Sequence, residues 1–167
     1  DTLIFMDSGT TNFTLPQISW YEWVVSGVKN HTGKDTPSQL FFHITLPEHK
    51  LAVDLLEKEA DGKKIVPQEY GGGDIGEIVS CQKENIGFFE KIKQLDSTTH
   101  IFVGHDHSNY GAVKYDEVYF VYGLKTGPSP KPWNEATVFG GTVIRIQDNG
   151  VPAKVIEHID YLTFTRQ

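Results

Sequence analysis

Apolar positions along this chain change their spacing from segment to segment, and those changes predict its elements. Leu3-Ile4-Phe5-Met6 is a short continuous apolar run closed by Asp7-Ser8-Gly9, the pattern of a buried strand ended by a turn. From Pro16 to Ser26, residues Ile18, Tyr21 and Val25 recur near helical spacing and Gly27 follows, which predicts a helix. Leu40-Phe41-Phe42-His43-Ile44 is apolar toward both faces, as parallel strands are, and Pro47 stops it. From Glu48 to Ala60 the apolar Leu51, Leu55 and Leu56 share one side and Gly62 follows as a cap, predicting a surface helix. The stretch from Glu69 to Glu77, glycine at 71, 72, 73 and 76, is expected to be an exposed loop. A third helix is predicted over Asn85–Leu95, where Ile86, Phe89 and Ile92 step around it. It leads into a second apolar strand, His100–Val103.

Beyond Val103 the texture becomes alternating. Val118, Phe120 and Tyr122 share one face, and the segments Thr142–Ile146 and Val151–Ile159 flank an Asp148-Asn149-Gly150 hairpin turn. The segment from Lys125 to Pro132 is an irregular connection. No fixed-period repeat or low-complexity tract interrupts this order. The expectation is an α/β fold: mixed sheet(s) with parallel strands joined by helices, then a C-terminal antiparallel meander, all in one domain over residues 1–167.

Composition narrows the function classes. Hydrophobic residues at 38% and charged residues at 22%, with ten Phe, seven Tyr and three Trp, suit a packed core rather than a disordered chain. A net charge of −7, with Lys and Arg scattered rather than gathered in a stripe, opposes sequence-independent nucleic-acid binding. The single cysteine, Cys81, excludes an intrachain disulfide and a cysteine-based zinc site. Apolar runs such as Leu40-Phe41-Phe42 are far too short to span a bilayer, so no membrane partner is expected. The sequons at Asn12 and Asn30 do not distinguish a secreted from a cytoplasmic protein. Asp1-Thr2-Leu3-Ile4 runs straight into a strand, from which the natural protein is expected to carry an upstream part.

The residues with chemistry to offer are histidines. In open α/β sheets ligands gather at the carboxyl ends of strands, and both His43 and the Gly104-His105-Asp106-His107 segment fall there. Side chains at i and i+2 of an extended or turning backbone project to one side, so His105 and His107 can reach a shared site. Imidazole suits zinc, iron and manganese. Spacing alone favours a solvated turn for a lone His-x-His. His31, His49, His100 and His158 have no partner histidine nearby in sequence and read as structural or surface residues.

The order of these features resembles a known family. A strand ending in Phe-Phe-His-x-x-Leu-Pro, a Gly-Gly-x-x-Gly-Glu loop, a helix, and then Ile-Phe-Val-Gly-His-Asp-His-x-Asn is similar to the second half of the calcineurin-like metallophosphoesterases, closest to the branch related to purple acid phosphatases. The similarity runs from Leu3 to the Gly141–Ile146 strand. It implies half of an αββα sandwich and a dinuclear site holding iron, zinc or manganese, at which a metal-bound hydroxide hydrolyses a phosphate ester. His43 and His105 then match ligands of the second metal and His107 a ligand of the first. Asn109, Glu77 and Lys125 resemble positions lining the mouth of the site, while Asp106 holds a variable place and orients its neighbours at most.

The remaining ligands of such a site, an Asp-x-His, a Gly-Asp with its bridging aspartate and a Gly-Asn-His, belong upstream of Leu3 in the family; here the Asp-x-His and Gly-Asn-His do not occur, and Gly73-Asp74 follows His43, in the wrong order. No catalytic residue is therefore assigned here, and the 167-residue chain alone is expected to be inactive. Two other readings stand beside the enzyme fragment: a non-catalytic α/β binding or assembly module with remnant histidines, and a mononuclear tris-histidine hydrolase. An apolar surface left bare by the upstream part is expected around Phe41, Phe42, Ile101 or Phe102, and with it a homodimer.

Overall fold

A computed structural model describes residues 2–9, 12–127, 138–154 and 156–161. Four parallel strands carry its centre: β1 (Thr2–Phe5), β2 (Ser38–Phe41), β6 (Thr98–Val103) and β8 (Val118–Tyr122) lie side by side in that order. The sheet continues antiparallel through β7 (Asn109–Tyr115), β5 (Asp74–Ile75), β4 (Lys63–Ile65) and β3 (Glu59–Ala60). A separate antiparallel pair, β9 (Gly140–Val143) with β10 (Glu157–Asp160), follows. This is the mixed α/β architecture that the sequence pattern predicts.

Three helices serve the crossovers: α1 (Leu15–Thr32), α2 (Pro47–Asp54) and α3 (Phe88–Leu95). Their apolar stripes, including Ile18, Tyr21 and Val25 of α1 and Phe88, Phe89 and Ile92 of α3, form one core with Ile4, Leu40, Ile101 and Phe120 of the sheet. Strand residues one position out of phase, Phe102, Ala112 and Val121, turn to the other face and pack with Ile156 and Ile144. Burial on both faces explains why β2 and β6 read as continuous apolar runs. None of the described helices is long and apolar enough to cross a membrane.

The structure corrects several boundaries. α1 passes through Gly27 and ends only at Gly33, whose left-handed φ of 68° lets its N–H reach Lys29 O at 2.8 Å. Its start is fixed by Gln17, which accepts the Thr14 N–H at 2.8 Å and donates to Asp7 O at 2.6 Å, tying the helix to the end of β1. α2 stops at Asp54 rather than continuing to Ala60. Asp61 (φ 50°) and Gly62 (φ 74°) form the tight turn of the β3–β4 hairpin, so Gly62 is a hairpin residue and not a helix cap.

The glycine stretch is not simply an exposed loop, because Gly72 is buried and the stretch contains a 3-10 turn (Gln68–Tyr70) and β5. A Cβ at Gly71 would lie 2.2 Å from Ile156 O and one at Gly73 2.2 Å from Tyr110 O, so these glycines admit close backbone approach. β7 answers no expectation above; its turn to β8 uses Asp116 (φ 42°) and Glu117 (φ 70°) with no glycine to announce it. Phe42, Ile101 and Phe102, expected to lack partners, are buried; the exposed large apolar residues lie elsewhere and include Leu3 and Phe5 at the β1 edge, Trp23 on α1, and Leu55 and Ile78. The expected Lys125–Pro132 connection lies outside the described residues beyond position 127.

Candidate metal centre

The site begins where β2 and β6 end together. Phe41 is paired with Phe102, and the Phe42 N–H donates to Phe102 O at 3.1 Å, so the two chains leave the sheet in register. Gly104 N–H then donates to His43 O at 3.2 Å, and buried Ser8 accepts the Ile44 N–H on its hydroxyl at 2.9 Å. His43 is thus pinned on both sides by backbone bonds, and its ring stands at the carboxyl rim of the sheet.

The turn that presents His105 is tight. Asp106 N–H donates to Gly104 O at 3.0 Å, and the left-handed conformation falls on His105 (φ 73°) rather than on Gly104. A non-glycine residue there is strained. Gly104 serves a different purpose, since a Cβ on it would lie 3.4 Å from His43 Nδ1, at the limit of ordinary contact.

The two imidazoles meet. His105 Nδ1 lies 3.2 Å from His43 Nε2, with ring centroids 5.0 Å apart and planes at 87°. Two imidazole nitrogens bound to one tetrahedral cation, at about 2.0–2.1 Å each, would stand about 3.3 Å apart. The observed spacing fits that edge, and the same spacing lets one ring donate to the other as a hydrogen bond. Partial burial, followed by the neighbouring His105 and His107, holds the His43 pKa below the usual imidazole value, while Asp106 opposes the shift. His43 is therefore neutral at neutral pH, the form in which imidazole binds a metal.

His107 is near enough to act electrostatically on His43, yet among the described residues no three His, Cys, Asp or Glu side chains gather into a group able to hold a metal ion. What the described residues bring to ligand spacing is one pair of imidazole nitrogens, those of His43 and His105.

Asp106 is buried. Its Oδ2 accepts from the Tyr122 hydroxyl at 2.5 Å, from the Ser80 N–H at 3.0 Å and from Asn109 Nδ2 at 3.3 Å. It is therefore not a solvated turn carboxylate. Asn109 is buried too, and its Oδ1 accepts the Glu77 N–H at 2.9 Å, so its amide braces the interior instead of lining an open mouth. Glu77 is exposed and accepts the Ser108 N–H at 2.5 Å. Lys125, just past the end of β8, has its Nζ withdrawn from solvent without a hydrogen-bond partner among the described residues, 6.0 Å from the Phe139 ring centroid.

Tyr122 and Ser8 escape a reading of the sequence, because one sits in a strand's apolar alternation and the other in an ordinary turn. Only the register of β8 beside β6 puts the Tyr122 hydroxyl under the His105 turn. Of the histidines read as structural, His49 and His100 are buried, half-buried His158 packs on Tyr110, and His31 is exposed on α1. No protein-family model matches this chain, and no curated protein matches it at a significant level.

Proposed function

We propose that this chain supplies one side of a metal-dependent phosphoesterase site, with His43 and His105 as two ligands of one cation and His107 directed to a second. The observation that carries this is the 3.2 Å approach of His43 Nε2 to His105 Nδ1 at the shared carboxyl rim of β2 and β6. The order of motifs that resembles the metallophosphoesterases supports it, and iron, zinc and manganese are the ions this donor set favours. When bound, such cations supply charge neutralisation on the phosphoryl group and activation of water.

The chain's own residues bind and orient. His43, neutral and fixed by the bonds of Gly104 and Ile44, offers its Nε2, and His105 offers Nδ1 from a strained turn. Carboxylate and amide ligands from outside these residues complete the set in this reading. The bare Leu3, Phe5 and Trp23 support a contact with another part of the natural protein or a homodimer through that side.

The test is hydrolysis of an aryl phosphate with manganese, zinc or iron. The 167-residue chain turns over negligibly, a polypeptide extended upstream along its natural reading frame is active, and H105A or H107A in the extended protein lowers the rate at least about a hundred-fold. Undiminished activity in H105A overturns the reading. Absence of metal from the extended, folded protein supports the non-catalytic module instead.

A further inference from the structure

We infer that Tyr122 is a positioning residue, which acts through Asp106 to hold His105 against His43. The argument starts with the strain at His105, whose φ of 73° is costly for any residue with a Cβ and persists only where its surroundings leave no alternative. Within the turn the Asp106 N–H donates to Gly104 O at 3.0 Å, and the Gly104 N–H ties the turn's first residue to His43 O at 3.2 Å; both bonds are to the backbone of residues 104 and 43 and leave the far side of the turn open. What fixes it from outside is the Asp106 carboxylate. One oxygen, Oδ2, collects donors from three separate segments: the Tyr122 hydroxyl on β8, the Ser80 N–H in the loop after β5, and Asn109 Nδ2 at the start of β7.

These donors stand on a rigid base. Tyr122 is fully buried, paired across to Val103 on one side and to Gly111 on the other. Its ring lies 4.3 Å from that of His49, which is itself fully buried and bonded to the Thr45 hydroxyl at 2.9 Å. The hydroxyl therefore has one direction to point, and a buried carboxylate satisfied by three donors is a strong anchor. Asp106 lies between the two histidines of the His-x-His, so anchoring it restrains the backbone from which both flanking side chains project. Sequence reading assigns Tyr122 to the core and nothing more; its hydroxyl, the polar atom a phenylalanine would lack, is spent on this turn.

The inference deepens the metal reading and rests on it for its functional meaning, but its primary readout needs no metal. Y122F removes only the hydroxyl, and Y21F is the matched control, because Tyr21 is also fully buried and spends its hydroxyl on Thr98 at 2.7 Å, away from the histidines. In metal-free chain, nuclear magnetic resonance of the imidazoles is expected to show the contact between the His43 and His105 rings in wild type and Y21F and its loss in Y122F. The His49 and His100 signals should keep their chemical shifts apart from local ring effects at His49. In the zinc-titrated chain, Y122F binds about ten-fold more weakly, the size of effect that outer partners of metal ligands have, while Y21F binds as wild type. D106N, which keeps one acceptor oxygen, changes both readouts in the same direction by less and serves if Y122F does not fold. An unaltered His43–His105 ring contact in folded Y122F or D106N overturns the inference, whether or not zinc binds. If wild type binds no zinc while the ring contact still depends on Tyr122, the positioning role stands and the metal reading falls.

Discussion

His43 Nε2 and His105 Nδ1 lie 3.2 Å apart although the two residues are separated by 62 positions in sequence. The approach follows from topology. β2 and β6 are adjacent and parallel, their ends stay in register through Phe41 and Phe102, and each histidine emerges just beyond its strand. A one-residue slip of either strand would turn one imidazole to the opposite face.

Acid should destabilise this fold through histidines that play no part in that pair. Burial holds the pKa of His49 down to about 3 and those of His100 and His158 to about 4. His49 and His100 stack on aromatic rings and His158 meets Tyr110 edge-on; each bonds a threonine hydroxyl through Nδ1 and has a buried Nε2 without a hydrogen-bond partner among the described residues. Folded values below the unfolded value of about 6.5 mean that the unfolded chain binds more protons in this range, so the contribution is full above about pH 6.5 and is lost as pH falls toward 4 and then 3. Unfolding free energies from urea titrations between pH 7.5 and 4.5 should fall by an amount on the order of several kcal/mol in total. H100Q, which keeps a polar side chain that does not titrate, should flatten the slope; an unchanged slope contradicts the assignment.

Glycine substitutions should separate two roles. Gly73, at φ 136° with Tyr110 O only 2.2 Å from a built Cβ, tolerates no side chain, so G73A should destabilise by on the order of 3 kcal/mol. Gly27 lies inside α1 with nothing within 4 Å of its built Cβ, so G27A should stabilise by about 0.5–1 kcal/mol. Denaturant unfolding reads both, and a neutral G73A would contradict the close-approach account of the glycine stretch.

The same contrast marks what the sequence could reveal. The apolar runs at Leu40–Phe42 and Ile101–Val103 announced parallel strands because both faces are buried, and their carboxyl ends gave the histidines a common rim. The Asp61-Gly62 turn was also legible, yet the leucines at 51, 55 and 56 kept helical spacing across the α2 terminus and masked it. β7 was hidden because Asn109 and Gly111 dilute its alternation and its turn carries no glycine. The Asp106 anchor could not be read at all, since its three donors come from positions 80, 109 and 122 and meet only through tertiary packing.

The edge of the sheet should be adhesive. Phe5 is 68% exposed while stacking on Phe41 with centroids 4.7 Å apart, and Leu3 is 51% exposed beside it on a strand that has, among the described residues, no neighbour on its outer side. Sedimentation of the isolated chain should show concentration-dependent association and binding of an apolar dye, both reduced by F5S. A monodisperse monomer without dye binding at high concentration would contradict this.

Calorimetric titration of the 167-residue chain with zinc tests the central claim most directly, using H43A, H105A and, as control, H31A on the exposed end of α1. The account predicts zinc binding that is weakened at least about a hundred-fold in both H43A and H105A, with melting temperatures little changed, and that is retained in H31A. Zinc binding that survives the loss of either His43 or His105, or no binding by the folded wild-type chain, would contradict it.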